Sequence, residues 1–424
     1  MSQSSTIGSG NEIENVREAR LPRRDWILLP AVCLLTLTML AVGTELTARL
    51  LFPASQSGFE NCFGNNPTGD SPVIPNSVCS ERTEESKLVV EYKFNSLGHR
   101  AGMERDPKTP GAYRIVMIGS SMAMGLHVPR EMTFAALLPQ EISQLTGRRI
   151  EVYNEASGGR FRGGSYPVRS SASNFKDVLA AHPDIILWVI TPHDFENAAL
   201  DEDPPAPQQA AQDEAATTVP QSRFAKAWSK LKVTVATGTV EDKFRVHFDK
   251  TRTSIALKYL LYGSESQGTY VNSYLKNGAD ADFLKAQPNA HWQHLLVNID
   301  ADAASFEQQA KEANVPFVAV LIPNRAQAAM VSIGKDAWPA GYDPYQIDEE
   351  MRVIIERHGG KYVDVLREFT KISNPDRHYF PVDGHPDAEG HAMIADVLAR
   401  GLTNGAVPQL KASAHPQAQL ERGR

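Results

Sequence analysis

From residue 88 onward, short apolar runs rich in β-branched residues alternate with longer stretches of helical periodicity. The runs YRIVMI (113–118), RIEVYN (149–154), DIILWVIT (184–191), VPFVAVLI (315–322) and KYVDVL (361–366) predict five strands. Helical patterns fall over 132–145, 170–181, 301–314, 344–358 and 388–403. Nearly continuous apolar strands between helices imply a mostly parallel sheet covered on both faces, a three-layer α/β/α fold. Such sheets place ligands at the carboxyl ends of their strands. Residues 88–200 and 301–405 are assigned to this domain.

Outside it the pattern changes. Residues 1–25 are polar and carry Arg17, Arg20, Arg23 and Arg24. They precede an uncharged apolar run from Trp26 to Gly43, which predicts a transmembrane helix over 26–44. The four arginines on its N-terminal side predict a cytoplasmic tail and an extracytoplasmic remainder. A cleaved signal peptide and a buried core helix are the competing readings. Residues 45–87 read as a loop-rich connector. The segment 201–300 is an insertion: a Pro-, Ala- and Gln-rich linker over 201–221, then a better mixed stretch with Trp228, Phe244, Tyr259, Leu260, Tyr270 and Trp292 that predicts a helical cap. A tail spans 406–424.

Composition is ordinary for globular protein, 42% hydrophobic and 22% charged. A net charge of −7 and the lack of a basic, aromatic-interleaved stripe set nucleic-acid binding aside. Of three cysteines, Cys33 lies in the apolar run, and Cys62 and Cys79 flank a turn-rich loop. Export of the domain would let Cys62 and Cys79 pair as a disulfide, whereas a cytosolic location would leave two thiols. No metal-ligand spacing is completed by Cys or His.

Four segments could carry chemistry, each just after a strand or in a late loop. Gly119-Ser120-Ser121-Met122-Ala123-Met124-Gly125 follows the first strand. A serine at a strand-to-helix turn exposes its hydroxyl, and needs a nearby base to act as nucleophile; capping of the next helix is the plain alternative. Asp383-Gly384-His385 lies in a Pro/Gly loop before the last helix. A carboxylate there can fix the imidazole tautomer and stabilise the imidazolium. With Asp387 and His391 the same residues could instead hold a metal, or simply cap a helix and face solvent. Asn154-Glu155-Ala156-Ser157-Gly158-Gly159-Arg160 could bring a backbone amide to a developing oxyanion. Thr191-Pro192-His193-Asp194 offers His193 as a further donor, or as a satisfied loop histidine beside a capping aspartate. Arg325, after the fourth strand, could meet an anionic group or be structural.

In order, these segments resemble the blocks of the SGNH/GDSL hydrolase family over roughly 88–200 and 310–400. Gly119-Ser120-Ser121-x-x-x-Gly125 is similar to the Gly-Asp-Ser-x-x-x-Gly block, with Ser120 in place of aspartate. Pro192-His193-Asp194 stands for Gly-x-Asn-Asp, with His193 in place of the asparagine that helps bind the oxyanion. Asp383-Gly384-His385 matches the Asp-x-(x)-His block. Phe94-Asn95-Ser96-Leu97-Gly98-His99-Arg100 resembles a lead-in of membrane-anchored members. The resemblance implies a flavodoxin-like five-stranded sheet. It also implies a Ser121, His385, Asp383 triad, with an oxyanion hole from Ser121, Gly159 and His193. The implied chemistry is hydrolysis of acyl, chiefly acetyl, esters without metal or organic cofactor, on an ester or acetylated glycan. O-acyl transfer to envelope or exported polysaccharide, and non-catalytic glycan binding, are the alternatives. Nothing in the sequence points to an oligomeric state.

Overall fold

A computed structural model describes residues 24–52, 54, 56–64, 73–83, 85, 88–157, 160–161, 164–165, 175–199 and 251–412. Helix α1 (Asp25–Leu51) comes first. Its segment Trp26–Leu51 is long and apolar enough to cross a membrane, with mean hydropathy 2.2. None of its most apolar window is buried in the protein, so the core-helix alternative does not hold.

The expected connector contains structure. Strands β1 (Gln56–Ser57), β2 (Val78–Arg82) and β3 (Val90–Lys93) form an antiparallel sheet in that order. Cys62 and Cys79 are joined by a disulfide. With Phe59, Val73, Val90 and Tyr92, both cysteines are buried in the main core. The folded region therefore starts well before Leu88. Such short strands leave little alternation to read. For a cross-link closing a loop of this size, 17 residues in sequence separation, chain-entropy arguments give about 3 kcal/mol. Replacing both cysteines by serine is expected to lower stability by about that amount, measured by thermal or urea unfolding.

The central sheet is made of β4 (Tyr113–Gly119), β5 (Ile150–Asn154), β8 (Ile185–Ile190), β9 (Phe317–Leu321) and β10 (Lys361–Tyr362). All pairings are parallel, in the order β10-β9-β8-β4-β5. Counted within this sheet, that is the 2-1-3-4-5 order of flavodoxin-like folds, with the chain reversing direction across the sheet beside β4. Between β5 and β8 lies a short antiparallel pair, β6 (Arg160–Phe161) and β7 (Gly164–Ser165).

Alternate strand residues feed two cores, as a period of two dictates. Ile115, Met117, Ile185, Leu187, Val189, Val318 and Val320 face one cluster with Phe134, Leu138, Ile142, Ile394 and Leu398. Val116, Ile118, Ile186, Trp188, Ile190, Ala319 and Leu321 face the other, with Phe175, Trp292, Leu295, Ile299, Phe306 and Met351. Helices Phe134–Thr146 and Ala388–Thr403 thus cover one face, and Phe175–Ala180, Ala290–Glu312 and Gln346–His358 the other. The helix expected over 301–314 begins at Ala290, where Asn289 caps it by accepting the Trp292 amide at 2.9 Å. A helix not foreseen, Arg325–Ile333, starts at a capping box between Asn324 and Gln327.

One helix of the 201–300 segment links the N-terminal helix to the sheet's carboxyl edge. Helix Arg252–Ser264 opens on Glu45, whose carboxylate accepts from the Thr253 amide at 3.0 Å, Thr253 Oγ1 at 2.9 Å and the Arg252 amide at 3.3 Å. At its other end the carbonyl of Tyr262 accepts from Arg325 and that of Gly263 from Arg377, the latter at 2.6 Å. Cations at a helix C-terminus satisfy orphan carbonyls and complement the dipole. The part of that segment over 201–250 lies outside the described residues.

Candidate active site

Strand β4 ends at Gly119, and Ser121 opens a four-residue helix, Ser121–Met124. Gly119 allows this turn by close approach: a Cβ there would meet the Val189 carbonyl oxygen at 2.5 Å and the Ala123 Cβ at 2.9 Å. Gly125 closes the short helix in the left-handed region, φ +81°, where a Cβ would strike Thr133. The serine hydroxyl is thereby held at the carboxyl edge of the strand between β5 and β8.

The late loop meets it there. Ser121 Oγ lies 2.8 Å from His385 Nε2, across 264 residues of sequence. On the far side of the ring, His385 Nδ1 lies 2.7 Å from Asp383 Oδ1, which also accepts the His385 amide at 3.1 Å. With Nδ1 protonated against the carboxylate, Nε2 is left to accept the serine proton. The loop is pinned from outside by Glu85, whose carboxylate accepts the amides of Val382 and Asp383, each at 2.8 Å. Burial raises the Glu85 carboxyl, an effect those two amides offset without reversing.

Asp383 is held well below the usual carboxylate range. Desolvation works against its charge, but hydrogen bonds from His127 and His385 outweigh it. His127 stands at the second oxygen: its Nε2 is 3.3 Å from Asp383 Oδ2 and its Nδ1 is 2.8 Å from Glu81 Oε1. Sequence reasoning singled out neither His127 nor Glu81. His127 follows the nucleophile block by only two residues, but a lone histidine in a loop carries no pattern. Glu81 lies on a strand that was not foreseen.

Among the described residues, the one group with metal-ligand potential is His127, Asp383 and His385. Their donor atoms already face one another in hydrogen bonds, which a cation would have to displace. Asp387 and His391 are not part of it. Asp387 caps the last helix by accepting the Gly390 amide at 2.8 Å, and His391 is buried, its Nδ1 accepting the Phe134 amide at 3.2 Å.

Of the two departures from the expected blocks, Ser120 has a visible partner and His193 faces the cavity. Asp194 is buried, and accepts from the Thr191 amide at 2.8 Å, from Thr191 Oγ1 at 3.0 Å and from the Ser120 side chain. Ser120 therefore ties the Ser121 turn to the segment after β8. His193, one residue earlier, is exposed and lines the same cavity as Ser121 and His385. Gly159 lies outside the described residues. The turn leading to it is laced to the Ser121 segment: Asn154 Nδ2 donates to the Ala123 carbonyl at 2.8 Å, and the Ser157 amide to the Gly119 carbonyl at 3.1 Å.

The cavity in front of Ser121 has a volume of about 280 Å³. Tyr262, Tyr270, Tyr274 and Phe283 form its aromatic wall, with Asn324 and Ser273 among them. Arg325 is buried there as a strut rather than a free cation. Its guanidinium lies 4.0 Å from the Tyr270 ring centroid and donates to the carbonyls of Pro381, at 2.5 Å, and Tyr262.

No family model and no curated protein matches the chain. Among solved structures it is similar to TesA, at 11% identity over 69% of this chain and 98% of that one, TM-score 0.33. A mutant of Axe2, an acetyl-xylooligosaccharide esterase from Geobacillus Stearmophilus, shows 14% identity over 70% and 94%, TM-score 0.35. A lipase/acylhydrolase from Enterococcus faecalis shows 11% identity over 72% and 100%, TM-score 0.32. By its strand order, its two helical layers and the serine turn after the strand between β5 and β8, the chain has a three-layer α/β/α fold of flavodoxin-like order, the architecture expected from its resemblance to the SGNH/GDSL blocks.

Proposed function

We propose that the chain is a membrane-anchored serine esterase of the SGNH/GDSL type that hydrolyses acyl esters, acetyl esters first among them. The observation that carries this reading is the continuous contact from Ser121 Oγ through the His385 ring to Asp383, at 2.8 and 2.7 Å. As Ser121 attacks the ester carbonyl, His385 takes the hydroxyl proton on Nε2, and the Asp383 carboxylate stabilises the imidazolium. The oxyanion forms beside the Ser121 amide, with His193 from the same cavity lining and Gly159 as the further donors that the block pattern implies. His385 returns the proton to the leaving alkoxide. Water, deprotonated by the same ring, then releases the acid and frees Ser121.

The anchor is helix α1, with the arginine-rich tail on the cytoplasmic side and the catalytic domain outside. The Cys62–Cys79 disulfide supports an oxidising, extracytoplasmic compartment. Aromatic faces interleaved with Asn324 and Ser273 suit a glycosyl group next to the scissile ester. That wall also supports the second reading, transfer of the acyl group from Ser121 to a sugar hydroxyl in place of water.

A fluorophosphonate probe tests the first claim. Covalent labelling at Ser121, lost in Ser121→Ala, is the expected result; a folded protein that takes no label overturns the esterase and leaves a binding protein. Release of acetate from an acetylated oligosaccharide, against its transfer to an unacetylated one, separates hydrolysis from transfer.

A further inference from the structure

Both oxygens of the Asp383 carboxylate face an imidazole. Oδ1 meets His385, and Oδ2 lies 3.3 Å from His127 Nε2. The other nitrogen of His127 lies 2.8 Å from Glu81 Oε1. A neutral imidazole has one N–H and can donate to one carboxylate only. Placed between two, His127 keeps both protons. Burial disfavours that charge, but the hydrogen bonds and charges of Asp383 and Glu81 prevail and raise its pKa to about 9.

The surroundings hold this ring in place. His127 sits in the left-handed region at φ +68°, an uncommon conformation for a residue with a side chain. Its amide donates to Tyr92 Oη at 2.9 Å, and the Tyr92 hydroxyl donates to Glu81. The ring meets His385 edge-on, with centroids 5.1 Å apart, and Phe380 at 6.1 Å. Arg100 lies over the Tyr92 ring, 4.3 Å from its centroid. Among the described residues, the titratable and charged groups around His127 are thus Glu81 and Tyr92 from the hairpin, Asp383 and His385 from the late loop, and Arg100 over the Tyr92 ring.

We propose that His127 is a positioning residue, a fixed cation that clamps the outer oxygen of Asp383 and, through Glu81 and Tyr92, couples the triad to the disulfide-linked hairpin. This rests on the reading of Ser121 as nucleophile. A carboxylate held on both oxygens cannot rotate, so His385 keeps its orientation as it gains and loses a proton. The charges of Glu81, His127 and Asp383 sum to minus one, so His385 still faces a single net negative charge. Glu81 offsets the repulsion that a bare His127 cation would exert on the His385 imidazolium.

Ester turnover, corrected for spontaneous hydrolysis, tests this as a function of pH in the full-length protein and in His127→Gln, His127→Ala and Glu81→Gln. The wild-type kcat is expected to fall as pH rises through about 9, because a raised pKa means that the charged clamp is lost on the alkaline side. Glu81→Gln removes one of the two carboxylates that sustain the cation, and moves this decline toward neutrality. In His127→Gln kcat at pH 7.5 falls by about 10- to 100-fold with KM within about twofold, as loss of an orienting partner predicts, and the alkaline decline disappears. A wild-type kcat that stays flat to pH 10 overturns the proposal. So does a folded His127→Gln protein with wild-type kcat, and these two results stand even where His127→Ala fails to fold. Full turnover by Ser121→Ala would instead refute the nucleophile itself, whereas an inactive Ser121→Ala beside a normal His127→Gln would refute the clamp alone.

Discussion

Replacing Ser121 by alanine is expected to lower kcat for an acyl ester by about 10⁵- to 10⁶-fold while leaving KM nearly unchanged. The substitution removes only the hydroxyl that stands 2.8 Å from His385 Nε2. It leaves the cavity walls in place, so ground-state binding persists. A factor of a million is about 8 kcal/mol of transition-state stabilisation at about 1.4 kcal/mol per decade. His385→Ala should cost as much, and the double variant no more than either, because nucleophile and base act as one unit. Additive losses would mean that the two side chains act independently. Wild-type turnover by Ser121→Ala would remove the serine mechanism altogether. Steady-state kinetics with a chromogenic acetyl ester, together with a pre-steady-state burst that vanishes in both variants, provides the measurement.

Asp383→Asn should lower kcat by about 10⁴-fold, as expected when a triad carboxylate becomes an amide. The geometry explains why the amide is a poor substitute here. Oδ1 accepts from the His385 ring and from the His385 amide, and Oδ2 faces His127. An asparagine has one oxygen for these two sides. Turned to His127, that oxygen leaves its NH₂ against His385 Nδ1, which stabilises the tautomer with Nε2 protonated and unable to accept the serine proton. Turned to His385, the oxygen leaves two donors facing each other at His127. Asp383→Ala, which imposes neither conflict, is therefore expected to retain at least as much activity as Asp383→Asn. The reverse order, read from kcat of both variants at one pH, would contradict this account of the loop.

Much of the architecture was written in local patterns. Four of the five apolar runs became β4, β5, β8 and β9 with small shifts at their ends, because a central strand buried on both faces favours apolar residues throughout, whereas the run over 361–366 gave only the two-residue edge strand β10 before the helix that starts at Leu366. Ser121 could be picked out by its place directly after such a strand, and Asp383 and His385 by a two-residue spacing in a Pro/Gly loop. The Cys62–Cys79 pairing was legible only conditionally, on export of the domain.

Other features had no local signature. Strands of two, five and four residues at 56–93 are held by a disulfide and by burial of Tyr92 and Phe59 against the main core, not by their own alternation. Arg325 was readable as a ligand for an anion until the fold placed the carbonyls of Tyr262 and Pro381 around it. Ser120 gained a role only when the chain brought Asp194 beside it. The chain by itself thus determined the sheet, its two helical covers and the residue types of a triad, since periodicity and turn chemistry act over a few neighbours. Only the tertiary structure decided that His127 and Glu81 stand behind Asp383, because a hydrogen bond depends on distance in space, and these partners lie 256 and 302 positions away along the chain.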